Sequence, residues 1–219
     1  MTDFQRFEFI FCANNERLIQ ESCRYIQALN LPAGFTLGIQ AIKNSASMAK
    51  GYNEGMRGSD AKYKIYLHQD VNILNPNFCY DILTLFQKYP NLGIMGVLGA
   101  KQLPPNGIWW DAPQTCGKVY YFDQLLLCNT EVSGEYESVQ ALDGMILITQ
   151  YDLPWREDIL TGWHFYDAAQ SLEFIKAGYA VGIPRQTVPW CAHNCRSPMI
   201  PFQAGKFNFT QEYQRFYAR

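Results

Sequence analysis

Apolar runs of two different periods alternate from Phe7 to Leu98, and that alternation narrows the possible folds more than any other feature of the chain. Phe7-Glu8-Phe9-Ile10-Phe11-Cys12 reads as a buried strand closed by Ala13-Asn14-Asn15. Glu16 to Leu29 then places Leu18, Ile19, Ile26 and Leu29 on a helical stripe that stops near Pro32. Phe35 to Ile42 predicts a second strand. Ser45 or Ser47 caps a following helix in which Met48, Tyr52 and Met56 recur at helical spacing. In Lys62 to Val71, Tyr63, Ile65 and Leu67 alternate with Lys62, Lys64 and Tyr66, the period of a strand. Asn75 to Tyr89 predicts a helix, with Asn75 as cap, Pro76 at its first position, and Phe78, Ile82, Leu85 and Phe86 inward. Leu92 to Leu98 is the next strand. The β-α-β-α-β-α-β order predicts a Rossmann-like α/β fold, a central and mostly parallel sheet with helices on its faces, in which Phe9–Cys12, Ile65–His68 and Ile94–Leu98 are neighbouring interior strands.

After Gly99 the texture changes. Lys101 to Gly134 is punctuated by Pro and Gly, carries Trp109-Trp110-Asp111, and holds short strand candidates at Lys118 to Phe122 and Gln124 to Leu127. Val139 to Leu142 and Met145 to Thr149 read as strands flanking Asp143-Gly144, giving a smaller antiparallel element. Gly162-Trp163-His164-Phe165-Tyr166-Asp167 runs into a helix with Ala168, Leu172 and Ile175 on one face and Gly178 as its left-handed stop. Tyr179 to Ile183 is the last strand expected, and Phe207 to Tyr217 receives no assignment. With no repeat and no linker, residues 1–219 are expected to form a single domain.

Composition excludes several classes. A net charge of -2 argues against a general nucleic-acid binder or a polybasic membrane protein. No apolar run approaches the ~20 residues that span a bilayer. Seven scattered cysteines and an N-terminus without a secretory apolar stretch fit a reducing cytoplasm, with peripheral attachment at the inner face of the membrane and homo-oligomerisation both left open.

The polar triplet His68-Gln69-Asp70 ends its strand where open α/β folds place ligand chemistry. Asp70 there supplies a hard oxygen for a divalent cation that neutralises a phosphate, or it caps a turn; the triplet fits both. Asp143-Gly144 fits a ligand contact or a tight turn. Trp109-Trp110, like Trp163 and Tyr166, fits a sugar-stacking platform or a cover for the sheet.

Taken in order, these segments resemble the family 2-type glycosyltransferases with a GT-A fold, in a less characterised bacterial branch, from about Phe9 to His193. In that family a strand-end Asp-x-Asp motif binds the metal that holds a nucleoside diphosphate sugar. Here Asp70 matches its second acidic position and His68 replaces the first. The resemblance implies donor contacts at Asn15, Glu16, Asn53, Gln69 and Asp70. It implies a Mn²⁺ or Mg²⁺ site at Asp70, His193 and His68, and a catalytic base at Asp167. Contacts to a glycan or other hydroxyl acceptor would come from Trp109, Trp110, Asp143, Gly144, Trp163, His164 and Tyr166. Where the family's second strand ends in an acidic residue that reads the base, this chain offers Asn44 and Ser45. The reading is metal-dependent, inverting sugar transfer. Two alternatives stand beside it: a non-catalytic nucleotide-sugar or glycan-binding module, and a nucleotidyltransferase, which would need a phosphate loop that Ala13-Asn14-Asn15 does not provide.

Overall fold

Phe7 to Ala13 is buried at every position, so the inner half of β1 (Asp3–Ala13) meets water on neither face. That is what a near-continuous apolar run requires of a parallel strand. In the computed structural model, which describes residues 1–121, 124–194 and 203–217, the chain continues through α1 (Glu16–Gln27), β2 (Thr36–Lys43), α2 (Met48–Arg57), β3 (Ala61–His68) and β4 (Val71–Ile73). Next come α3 (Phe78–Lys88), β5 (Leu92–Gly96), β6 (Leu98–Ala100), a 3₁₀ turn at Trp109–Asp111, β7 (Thr115–Tyr121) and β8 (Gln124–Leu127). The remainder is β9 (Tyr136–Ser138), β10 (Ala141–Leu142), β11 (Ile146–Thr149), α4 (Tyr166–Lys176), β12 (Ala180–Pro184), β13 (Cys191–His193) and α5 (Gln203–Tyr217).

The main sheet runs β2-β1-β3-β11-β5-β12-β9. β1 lies parallel to β2 and β3, and β12 parallel to β5, while β11 and the edge strand β9 run the other way. A second sheet runs β10-β6-β7-β13-β4, with β8 paired to β7. The fold is thus the expected α/β arrangement of mostly parallel strands with a smaller element beside it.

Several local expectations need correction. β3 and β5 are not neighbours: the wholly apolar Ile146-Leu147-Ile148 fills the gap between them and pairs with both. The Leu92–Leu98 run breaks at Val97, sending β5 into one sheet and β6 into the other. Alternation does not give β3 a wet face, because Lys64 and Tyr66 are buried and Lys64 Nζ donates to Asp152 at 2.9 Å. Asn75 caps no helix. Its Oδ1 accepts from the Asn77 N–H and its Nδ2 donates to Asp81, an Asx turn that delays α3 to Phe78. Ser47, rather than Ser45, caps α2, and Met48, Tyr52 and Met56 face the core. Gly178 takes the left-handed backbone at φ 89°, as a helix stop should. The tail is helical, with Phe209, Tyr213 and Tyr217 buried as one stripe. Phe122 lies outside the described residues.

Candidate active site

β3 stops at His68 because the chain turns at Gln69-Asp70 and leaves the main sheet as β4. β4 then pairs with β13, Val71 opposite His193. That pairing carries His193 back over the end of β3. One ligand atom each from His68, Asp70 and His193 lies within 4.8 Å of the others, the one such cluster among the described residues. His193 Nε2 stands 3.3 Å from Asp70 Oδ1, and the two imidazole rings are 5.4 Å apart. The turn is held by the Asn194 N–H, which donates to the Asp70 carbonyl at 2.9 Å.

These side chains fit a divalent ion. His193 Nε2 is buried and is turned toward the Asp70 carboxylate. Burial, and then the charge of His193, push the His68 pKa down to about 4 against the pull of Asp70. The imidazole is therefore neutral near pH 7, the form that ligates metals. Burial raises Asp70, but the hydrogen bond and charge of His193 and the charge of His68 outweigh it and hold the carboxyl below its ordinary range. One carboxylate and two imidazoles form a donor set that can hold a divalent metal ion.

β11 starts beside the end of β3, with the His68 N–H donating to the Met145 carbonyl at 3.0 Å. That contact sets Asp143-Gly144 against the cluster. Tyr166, the first residue of α4, puts its hydroxyl 2.5 Å from His68 Nε2 and 3.1 Å from the Gly144 carbonyl. Burial lifts this phenol well above its ordinary pKa, so it keeps its proton. Only glycine fits at 144, since a Cβ there would stand 2.1 Å from the Tyr166 hydroxyl.

Asp167 follows. Its Oδ2 accepts from the Gly144 N–H and its Oδ1 from the Ala168 N–H, both at 2.9 Å. Burial first, and then the charge of Asp143, push its pKa up to about 7 in spite of those bonds. Burial also raises Asp143, opposed by the Met145 N–H, by His193 and by the Trp109 indole. Asp167 does not cap α4. The cap position belongs to Phe165, whose φ of 64° is strained for a bulky residue and is held by stacking on Phe209, ring centroids 5.2 Å apart. Backbone strain of this kind beside a perturbed carboxylate is typical of functional sites.

The other expected site residues land in varied places. Gln69 ties the end of β3 to the start of α1, its Oε1 accepting from the Asn14 and Asn15 N–H groups and its Nε2 donating to Asn14 Oδ1. Asn15 caps α1, accepting from the Arg17 and Leu18 N–H groups. Glu16 is exposed and pairs with Lys43 at 3.0 Å. Asn53 is buried, and both its donors are spent, on the Trp155 carbonyl and on Glu157; its oxygen accepts from the Trp155 N–H. These bonds clamp the loop around Trp155 to α2. Tyr166 is buried with its hydroxyl turned inward, and Trp109 is buried with its indole toward Asp143. Trp110 and Trp163 are exposed at 51% and 40%, and His164 is half-buried. Sequence reasoning missed Tyr121, whose ring meets His193 edge-on at 5.8 Å. The pairing of β7 with β13 brings them together, and nothing local to Tyr121 announces it.

Known proteins resemble this chain in fold and in family. A family model described as a glycosyltransferase-like family matches residues 8–214. No curated protein sequence matches significantly. Among solved structures, S. aureus TarS aligns over 87% of this chain and 37% of its own, with a TM-score of 0.59 at 10% identity. A shorter form of TarS in complex with UDP-GlcNAc aligns over 90% of this chain and 60% of its own, with a TM-score of 0.57 at 11% identity. The mannosyltransferase PcManGT from Pyrobaculum calidifontis, in complex with GDP-Man and Mn²⁺, aligns over 97% of this chain and 70% of its own, with a TM-score of 0.55 at 11% identity. The chain spans less than two thirds of the TarS chains it matches. At such identities the likeness speaks for the fold, a GT-A glycosyltransferase architecture. With a family model covering residues 8–214, the chain belongs to the glycosyltransferase-like family.

Proposed function

We propose that this protein transfers a sugar from a nucleoside diphosphate sugar to an acceptor hydroxyl with inversion, using Mn²⁺ or Mg²⁺ held by His68, Asp70 and His193. One observation carries the reading: a three-residue nitrogen and oxygen cluster within 4.8 Å shares the end of β3 with a carboxylate held at about 7. Related folds solved with UDP-GlcNAc and with GDP-Man and Mn²⁺ support the donor class and the ion. The ion, when bound, offsets charge on the departing diphosphate.

The chain's own residues supply the rest. Asp167 is the base that takes the proton from the attacking hydroxyl, and a pKa near the working pH suits that task. Direct attack by a hydroxyl so activated, on the face opposite the leaving group, inverts the anomeric centre. Asn14, Asn15 and Gln69 form a rigid rim at the start of α1 for the donor. The exposed faces of Trp110 and Trp163 offer stacking surfaces for the acceptor.

Calorimetry with a panel of nucleoside diphosphates and their sugars, with and without Mn²⁺, tests this. Wild type should bind one of them in a Mn²⁺-dependent manner, and Asp70→Ala should lose that dependence. Equal affinity and equal metal dependence in the variant would place the site elsewhere.

A further inference from the structure

Tyr166 comes directly before Asp167 and is buried, with its hydroxyl turned inward. Its hydroxyl has two polar neighbours, His68 Nε2 at 2.5 Å and the Gly144 carbonyl at 3.1 Å. A carbonyl can only accept. If the single phenolic proton goes to Gly144, the phenol oxygen is left as an acceptor and His68 must carry its proton on Nε2. All three groups are then satisfied. In the other tautomer the phenol donates to His68 Nε2, the Gly144 carbonyl loses its donor, and a proton sits on His68 Nδ1. Buried polar groups favour the arrangement that satisfies every member.

We infer that Tyr166 is a positioning residue that fixes His68 as the Nε2–H tautomer and so leaves Nδ1 as the nitrogen His68 turns to a divalent cation. This rests on the metal reading proposed above. Three features of the chain serve the arrangement. Gly144 has no Cβ, and one would stand 2.1 Å from the hydroxyl. The Tyr166 ring is wedged against Tyr52, 5.7 Å away, and Trp155, 6.1 Å away, which limits its movement. The strained backbone of Phe165 aims the first turn of α4 at the end of β3. The consequence is that one turn of α4 carries both Asp167 and the residue that orients an ion ligand.

Two measurements test this. Long-range proton–nitrogen NMR on metal-free wild type reads the tautomer of His68 directly, and the Nε2–H form is expected. Calorimetry with Mn²⁺ alone compares wild type with Tyr166→Phe, which keeps the ring and loses the hydroxyl. Removal of such an outer-shell partner should weaken Mn²⁺ binding by roughly 10- to 100-fold. A proton on Nδ1 in wild type overturns the inference, whether or not the variant folds. So does unchanged Mn²⁺ affinity in a folded Tyr166→Phe. Failure of wild type to bind Mn²⁺ at all is a different result: it removes the ion site and the inference together.

Discussion

A carboxyl group held at about 7 changes both rate and stability across the neutral range, and Asp167 is such a group. As the proposed base it would work only when ionised. Transfer should therefore rise roughly tenfold per pH unit below about 7 and level off above it, measured as initial rates with a cognate donor and acceptor. Asp167→Asn should lower turnover by roughly a hundredfold or more and flatten that profile. The stability effect has the opposite sense. The folded value lies above the ordinary 3.8, so between the two the folded chain keeps a proton that the unfolded chain has released. The penalty from ionising Asp167 therefore grows from about pH 4 to about pH 7 and is complete above that. Asn offers one acceptor oxygen where Asp uses two, so the Gly144 or the Ala168 N–H loses its partner, a pH-independent cost of ~1 kcal/mol. Urea unfolding should show the variant gaining on wild type by on the order of 2–3 kcal/mol between about pH 5 and about pH 8. No such gain would mean that Asp167 does not titrate in this range.

Loops in this fold are held by single side chains reaching across the structure. Asn53 on α2 makes three hydrogen bonds to the segment between β11 and α4, bonding both backbone groups of Trp155. Asn53→Ala should cost roughly 2–4 kcal/mol in urea unfolding, since the buried Trp155 N–H and carbonyl lose their partners, and should leave Mn²⁺ affinity near that of wild type. Gly144→Ala, by contrast, should lower both stability and Mn²⁺ affinity, because its Cβ meets the Tyr166 hydroxyl. This contrast also explains what was legible in the sequence. Residues at strand ends announce themselves, as His68-Gln69-Asp70 and Asp143-Gly144 do, because an apolar run stops abruptly on polar groups. Asn53 does not, since its partners lie 102 and 104 residues away and nothing local encodes them. The start of α3 misleads because Asn75-Pro76 carries a cap signal while the Asn75 side chain bonds to Asn77 and Asp81 instead. α5 has its stripe in Phe209, Tyr213 and Tyr217, but the exposed Phe207 and Phe216 blur the period.

Across the whole molecule, the proposed ion joins the two sheets, because His68 ends a strand of one and His193 a strand of the other. A ligand that binds only the folded chain should raise its stability by ~2.7 kcal/mol at a hundredfold excess over Kd, so Mn²⁺ should raise the Tm and a chelator should reverse the rise. Among the described residues no helix is long and apolar enough to cross a membrane. The least legible feature at this scale was the place of β11. Ile146-Leu147-Ile148 reads as a buried strand, but an apolar triplet does not say which gap it will fill or in which direction. Its late position has a consequence for how the chain is made. From the synthesis of Gly96 until Ile146 emerges, β3 and β5 exist without the strand that separates them, and each presents an unpaired, apolar edge. Elongation across that interval takes on the order of seconds, long enough for open edges to find each other or another nascent chain. A fragment ending at Ala100 should therefore unfold without cooperativity and aggregate, as turbidity and urea titration would show. A soluble, cooperatively folding fragment would mean that the first half closes on its own. If it does not, production of this protein is limited less by its final stability than by how well the half-made sheet is shielded.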